Sequence, residues 1–239
     1  MKVDGVYEGF KLQKIQPVQE ANAKAYTFEH IETRAKVFYL SNQDDNKVFA
    51  ISFRTPIKNS KGLPHILEHA VLCGSKKYPL KAPFNELAKG SLKTYLNAMT
   101  FPERTMYPVA SRNPKDFINL MDVYLDAVFF PAIYTDPLIL QQEGWRYEVD
   151  SKTKELSYNG VVYSEMKGNY SNPESVLWDK LQSGLYPDTV YAYDSGGDPN
   201  EIPQLNQQEF IEFHKQYYHP SNAYIYLYGD GNIQEHLRY

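Results

Sequence analysis

Two runs rich in β-branched and aromatic residues, 35–40 and 47–53, are separated only by the polar stretch 41–46. A connection that short predicts a β-hairpin, so at least part of the sheet is antiparallel. Residues 93–99, 105–110 and 223–228 also read as extended. Helical patterns lie between these strands. One covers 63–73 and closes near Gly74, and another runs from Pro83 to Gly90. Asn113-Pro114 opens a long helix in which Phe117, Leu120, Met121, Tyr124, Leu125 and Val128 recur at three-and-four spacing, and Pro131 stops it. Asp136 and Pro137 open a helix running to about Arg146. Further helices are expected over 161–170, after Pro173 and over 205–218, with a polar, turn-rich stretch at 150–159 and a long loop at 186–203. The expected architecture is α+β, a largely antiparallel sheet with helices packed on one face, filling one domain over 1–239. Residues 232–239 begin like a helix and stop, so the chain is expected to be a fragment of a longer multidomain polypeptide.

Composition narrows the function classes. Hydrophobic residues are 42% and charged residues 23% of 239, which is globular composition. The 21 tyrosines suit a sheet with half-wet faces. A net charge of −4 speaks against a general grip on nucleic acid or an anionic membrane. No apolar run is long enough to span a bilayer, and residues 1–10 lack the apolar core of a signal peptide. A cytoplasmic protein is expected, unless a leader has been removed. Cys73 is the single cysteine, which excludes an intrachain disulfide and an all-cysteine zinc site.

The chemistry is carried by His65-Ile66-Leu67-Glu68-His69. Histidines four apart on a helix face the same way and can grip one metal ion. Glu68, three after His65, lies on the same side and is placed to act as general base toward an attacking water. This H-x-x-E-H order reverses the familiar H-E-x-x-H zinc helix and keeps its geometry. The bland reading is a chance pentapeptide. Against it, Glu68 sits among Ile66, Leu67, Ala70, Val71 and Leu72, where a carboxylate without a partner is costly to bury. Catalytic zinc takes three protein ligands. Glu165 is a candidate third ligand, on the segment that also holds Val161, Val162 and Met166, but composition and spacing do not choose it over Glu143 or Glu148. Cys73 is a ligand, a redox switch or a small buried hydrophobe, and the last reading is preferred. His214, His219 and His236 lie at no ligand spacing and read as structural or solvent-facing.

Residues 63–75, 78–79, 89–92, 96–102, 104–105, 107–111, 122–129, 142–146, 159–168 and 194–199 together resemble, in order, the first domain of the pitrilysin and insulin-degrading superfamily of zinc metallopeptidases. The resemblance is to the presequence-protease and falcilysin branch. It implies the metallohydrolase fold typified by the mitochondrial processing peptidase. It implies His65, His69 and Glu165 as zinc ligands and Glu68 as the catalytic base. Many relatives outside the branch carry an acid seven positions before the distal ligand, where this chain has Tyr158. Asn97, Ala98 and Met99 match the family's edge strand, which pairs with extended substrate, though an ordinary edge protected by Pro102 reads equally well from residues alone. Leu72 and Met99 are candidates to line an apolar pocket beside the metal, and 194–199 reads as a structural and substrate-side loop.

The function implied is zinc-dependent hydrolysis of short unstructured peptides. Its partners are the peptide and the C-terminal half of the same polypeptide, without which the 239 residues are expected to be weakly active or inactive. Two rival readings are a peptide-binding member that does not cut and an assembly module whose zinc only holds the fold.

Overall fold

The computed structural model describes residues 1–81 and 83–239. Its strands are β1 (Val6–Tyr7), β2 (Phe10–Val18), β3 (Ala23–His30), β4 (Lys36–Ser41), β5 (Lys47–Arg54), β6 (Lys93–Leu96), β7 (Met99–Thr100), β8 (Arg104–Ser111), β9 (Arg146–Val149), β10 (Leu156–Asn159) and β11 (Ala223–Gly229). Its helices are α1 (Leu63–Val71), α2 (Pro83–Gly90), α3 (Pro114–Phe129), α4 (Leu138–Glu143), α5 (Val161–Asn169), α6 (Pro173–Leu185), α7 (Gln207–Tyr217) and α8 (Ile233–His236). Nine strands form one sheet in the order β1-β2-β3-β4-β11-β5-β8-β6, with β7 beside β6 on β8. Among the described residues only β4 and β11 pair in parallel. The expected α+β layer is what the chain adopts.

Strand alternation decides which face is covered. β4 turns Val37 and Tyr39 inward and Lys36 and Phe38 outward. On the outer face Phe38 stacks on Tyr226, and the Lys36 ammonium lies over the Tyr224 ring. The inner face carries the helices. Phe49 and Ile51 of β5 and Tyr107 and Val109 of β8 share one core with Ile66 and Leu67 of α1, Phe117, Leu120 and Tyr124 of α3, and Phe210 of α7. The Asn113 side chain caps α3 by accepting from the Asp116 N–H, as the Asn-Pro signal implies.

The hairpin expected from 35–40 and 47–53 does not form. β11 lies between β4 and β5, with Tyr226 beside Phe38 on one side and Ala50 on the other. The 41–46 connection spans two strand spacings, about 10 Å, and leaves a slot one strand wide. It wraps the end of β11, where the Asn42 N–H reaches the Gly229 carbonyl and the Asp230 N–H reaches that of Asp44. Residues 150–159 also depart from expectation. Residues 156–159 pair as β10 with β9 in a separate two-stranded sheet, and α4 stops at Glu143 so that β9 can begin at Arg146. This small sheet is mostly exposed, and it is held by Tyr158 opposite Tyr147 on β9.

His214, on α7, is buried and structural. Its Nε2–H donates to the Val128 carbonyl at 2.9 Å, which leaves Nδ1 to accept from the Tyr134 hydroxyl at 2.7 Å. Protonating Nδ1 would require the Tyr134 hydroxyl to turn from donor to acceptor, and burial of the ring holds the imidazole down at about 4. As pH falls from about 6.5 the unfolded chain therefore takes up the proton first. The stabilisation is fully present above pH 6.5 and is lost by about pH 4, and amounts to about 3 kcal/mol. His214→Gln is expected to flatten the fall of the urea midpoint between pH 6.5 and 4. An unchanged slope would remove His214 as its source.

Candidate active site

α1 is entered from its N-cap Gly62, in the left-handed region at φ 66°, and carries an apolar stripe of Ile66, Leu67, Ala70 and Val71 into the core. His65 and His69 stand one turn apart on the side left over, their rings 4.9 Å apart and nearly perpendicular. α5 buries Val162, Tyr163 and Met166, and so presents Glu165 toward α1. The Glu165 oxygens lie 3.7 Å from His65 Nε2 and 4.0 Å from His69 Nε2. One donor atom from each of the three residues lies within 4.8 Å of the others, a grouping able to hold a metal ion. Glu148 is outside it, paired with Arg146 and Asn159 on the small sheet. Tyr158 is outside it too, packed with Trp145, Tyr147 and Tyr163.

Both histidines turn Nε2 to the centre and Nδ1 to an acceptor. The Gly196 carbonyl takes His65 Nδ1 at 3.1 Å. The loop that supplies it is strapped to α1's entry, the Asp198 N–H donating to the Ser60 carbonyl and the Asp194 N–H to the Ser60 hydroxyl. His69 Nδ1 instead lies 3.5 Å from a carboxylate oxygen of Glu143, the last residue of α4. Burial pushes the His69 imidazole down, but Glu143 and the carboxylates of Glu68 and Glu165 outweigh it and its pKa is raised. Glu143 is held low: burial alone would raise it, and the bonds from His69, Gln142 and Cys73 reverse that. The Cys73 sulfur lies 3.4 Å from Glu143 Oε1 and 3.5 Å from the His69 carbonyl, with one S–H to give, and burial first, then Glu143, push its thiol far up, so it stays protonated.

Glu68 is buried, and its Oε2 accepts from the Thr100 hydroxyl on β7 at 2.6 Å. Burial raises its carboxyl, reinforced by Glu165 and opposed by Thr100 and the two histidines. β6 and β7 form the sheet edge beside the helix, and Asn97 and Ala98 occupy the gap between them, the Asn97 N–H reaching the Pro108 carbonyl. A cavity of about 310 Å³ opens there, lined by Leu72, Phe84, Asn97 and Ala98 next to Glu68 and His69. Met99, paired with Met106, does not line it. The Thr100 bond to Glu68, the Gly196 bond to His65 and Glu143's place beside His69 are not expected from the sequence. Each is a contact from a distant element that no spacing encodes.

Residues 54–186 match the profile of insulinase (Peptidase family M16), and residues 204–239 that of the Peptidase M16 inactive domain. The chain is 58% identical over 238 residues to Protein HypA of Clostridium perfringens, covering 100% of this chain and 24% of that protein. It is 56% identical over 230 residues to presequence protease 1, chloroplastic/mitochondrial, of Arabidopsis thaliana, covering 96% and 21%. The chain thus spans about a quarter of the length of these relatives. The crystal structure of pitrilysin superposes with a TM-score of 0.67 at 20% identity, covering 96% of this chain and 24% of that one. A protease from Helicobacter pylori superposes with a TM-score of 0.72 at 17% identity, covering 90% and 49%. These two likenesses show the fold; the profile spans more than half of the chain, which therefore belongs to the insulinase family of peptidases, family M16, on its presequence-protease branch.

Proposed function

We propose that the chain is the N-terminal catalytic domain of a zinc metalloendopeptidase that degrades short unstructured peptides. The observation that carries this reading is the convergence of His65, His69 and Glu165 beside the buried Glu68. Two imidazoles and one carboxylate are a donor set that catalytic zinc takes, and both outward Nδ1 atoms have acceptors, so the residues fit the ion. Bound zinc supplies Lewis-acid polarisation of the scissile carbonyl and a more acidic water.

The protein's own groups do the rest. Glu68 takes the proton of the attacking water and delivers it to the leaving amine. The Thr100 hydroxyl holds one Glu68 oxygen, which leaves the other to handle the proton. The sheet edge at β6 and β7 offers backbone groups to an extended peptide, whose varied sequence is then no obstacle. Leu72, Phe84 and Ala98 receive an apolar side chain beside the scissile bond. Relatives named presequence proteases agree with a peptide substrate.

Residues 1–239 are assigned as one domain of a longer polypeptide whose C-terminal half encloses the peptide. That half is assigned a hydrogen-bond donor to the oxyanion, so residues 1–239 alone are expected to turn over about 10²–10³-fold more slowly. The reading keeps the protein in the cytoplasm, and cell fractionation decides this against an organelle. Among the described residues no helix is long and apolar enough to cross a membrane.

The test is hydrolysis of a fluorogenic unstructured peptide by the complete polypeptide, with metal analysis. One zinc per chain is expected, chelation should abolish turnover, and added zinc should restore it. Turnover indifferent to chelation would sink the proposal. Tight peptide binding by the zinc-loaded protein without cleavage would establish the non-catalytic reading instead.

A further inference from the structure

The two histidines of the site are held differently. His65 Nδ1 meets a neutral backbone carbonyl, whereas His69 Nδ1 meets the buried carboxylate of Glu143. Burying a carboxylate is costly unless it has a cationic or hydrogen-bonding partner. No lysine or arginine pairs with Glu143 among the described residues. What surrounds it is specific. Its Oε1 accepts from the Gln142 amide at 2.8 Å and from the Cys73 thiol at 3.4 Å, and its Oε2 is turned to His69. Two donors, one from its own helix and one from just beyond α1, thus fix one oxygen and aim the other at a single ring nitrogen.

The geometry points to Glu143 as the positioning residue of the metal site, which orients the His69 ring and holds the Nδ1–H tautomer so that Nε2 faces the ion, with Cys73 and Gln142 holding Glu143 in turn. The inference rests on the metal reading given above. A carboxylate behind a ligating histidine increases its donor strength as well as fixing its orientation, and losing such a partner typically costs 10–100-fold in metal affinity. A carbonyl behind His65 supplies orientation with less charge. His69 is therefore the stronger imidazole donor of the pair. This also gives Cys73 a use that needs neither ligation nor oxidation.

The experiment measures zinc affinity by chelator competition in the complete polypeptide for the wild type and the variants Glu143→Ala, Glu143→Gln, Cys73→Ala, Glu165→Ala and His69→Ala. Circular dichroism and thermal midpoints of the metal-free proteins monitor folding. Glu143→Ala is expected to weaken zinc binding 10–100-fold with the metal-free fold intact. Glu143→Gln, whose amide oxygen still accepts from Nδ1–H, should lose less, and Cys73→Ala less again. The cobalt-loaded Glu143→Ala protein should show a shifted visible spectrum, which a change in packing alone would not produce. If Glu143→Ala does not fold, Glu143→Gln decides by the same affinity reading. Wild-type affinity in both Glu143 variants, with His69→Ala losing zinc, would overturn the inference and leave the site standing. A loss as complete as that of Glu165→Ala would make Glu143 a ligand and overturn it from the other side. Retention of zinc by His69→Ala would instead bring down the metal reading itself.

Discussion

Glu68→Gln in the complete polypeptide should keep one zinc per chain while peptide turnover falls by about 10²–10⁴, the range that a positioned general base contributes. The amide is nearly isosteric with the carboxylate, and its oxygen still accepts the Thr100 hydroxyl that now bonds Glu68 Oε2. It has no basic oxygen to take the proton of water. Glu68 is not one of the three converging donors, so its replacement removes none of them. His69→Ala should behave oppositely and lose the metal itself. The two variants separate roles that sit on adjacent residues of one helix. Equal loss of zinc from both would make Glu68 a ligand. Full turnover by Glu68→Gln would remove it as the base.

The pair of histidines and Glu68 were readable because one helix carries them, and helical periodicity alone puts positions 65, 68 and 69 on one side. The third donor was not readable that way. Composition and spacing do not choose the favoured Glu165 over Glu143 or Glu148, and only the family resemblance does so. The fold separates them by what each helix buries. α5 turns Val162 and Met166 inward, which leaves Glu165 facing α1, while α4 ends with Glu143 behind His69 and the small sheet carries Glu148 away.

The largest misreading of the fold has the same root. Residues 41–46 look like a hairpin turn because spacing along the chain says nothing of a strand arriving from residue 223 onward. Its inward Ala223 and Leu227 complete the core between β4 and β5, so burial of that face overrides local pairing. The small sheet leaves no mark in the sequence for a different reason. Most of its residues are exposed, so no alternation of buried and polar positions marks it.

Gly160→Ala is expected to be among the most damaging single substitutions in the chain, although it adds only a methyl group. Gly160 caps α5 at φ 155°, a conformation L residues rarely adopt. A Cβ there would stand 2.1 Å from the Gly144 carbonyl oxygen and 2.9 Å from the Trp145 Cα. Both obstacles are backbone, so no side chain can swing aside. Relief requires α5 to part from the end of α4. The same junction carries the Tyr163 N–H bond to the Gly144 carbonyl, which would be lost. Backbone strain and overpacking together should cost on the order of 3–5 kcal/mol, or about 10 °C in Tm for a domain of this size. The consequence reaches the site, because Glu143 precedes Gly144 and Glu165 follows Gly160 by little more than one turn. Moving α5 draws Glu165 away from His65 and His69, so zinc affinity should fall along with stability. Gly168→Ala is the matched control. It lies on the same helix with nothing within 4 Å of its added methyl, and should be neutral or slightly stabilising. Thermal midpoints and zinc competition on both variants decide the matter. Equal tolerance of the two substitutions would show that the α4–α5 junction is not packed backbone against backbone, and that Glu165 is not held in place by it.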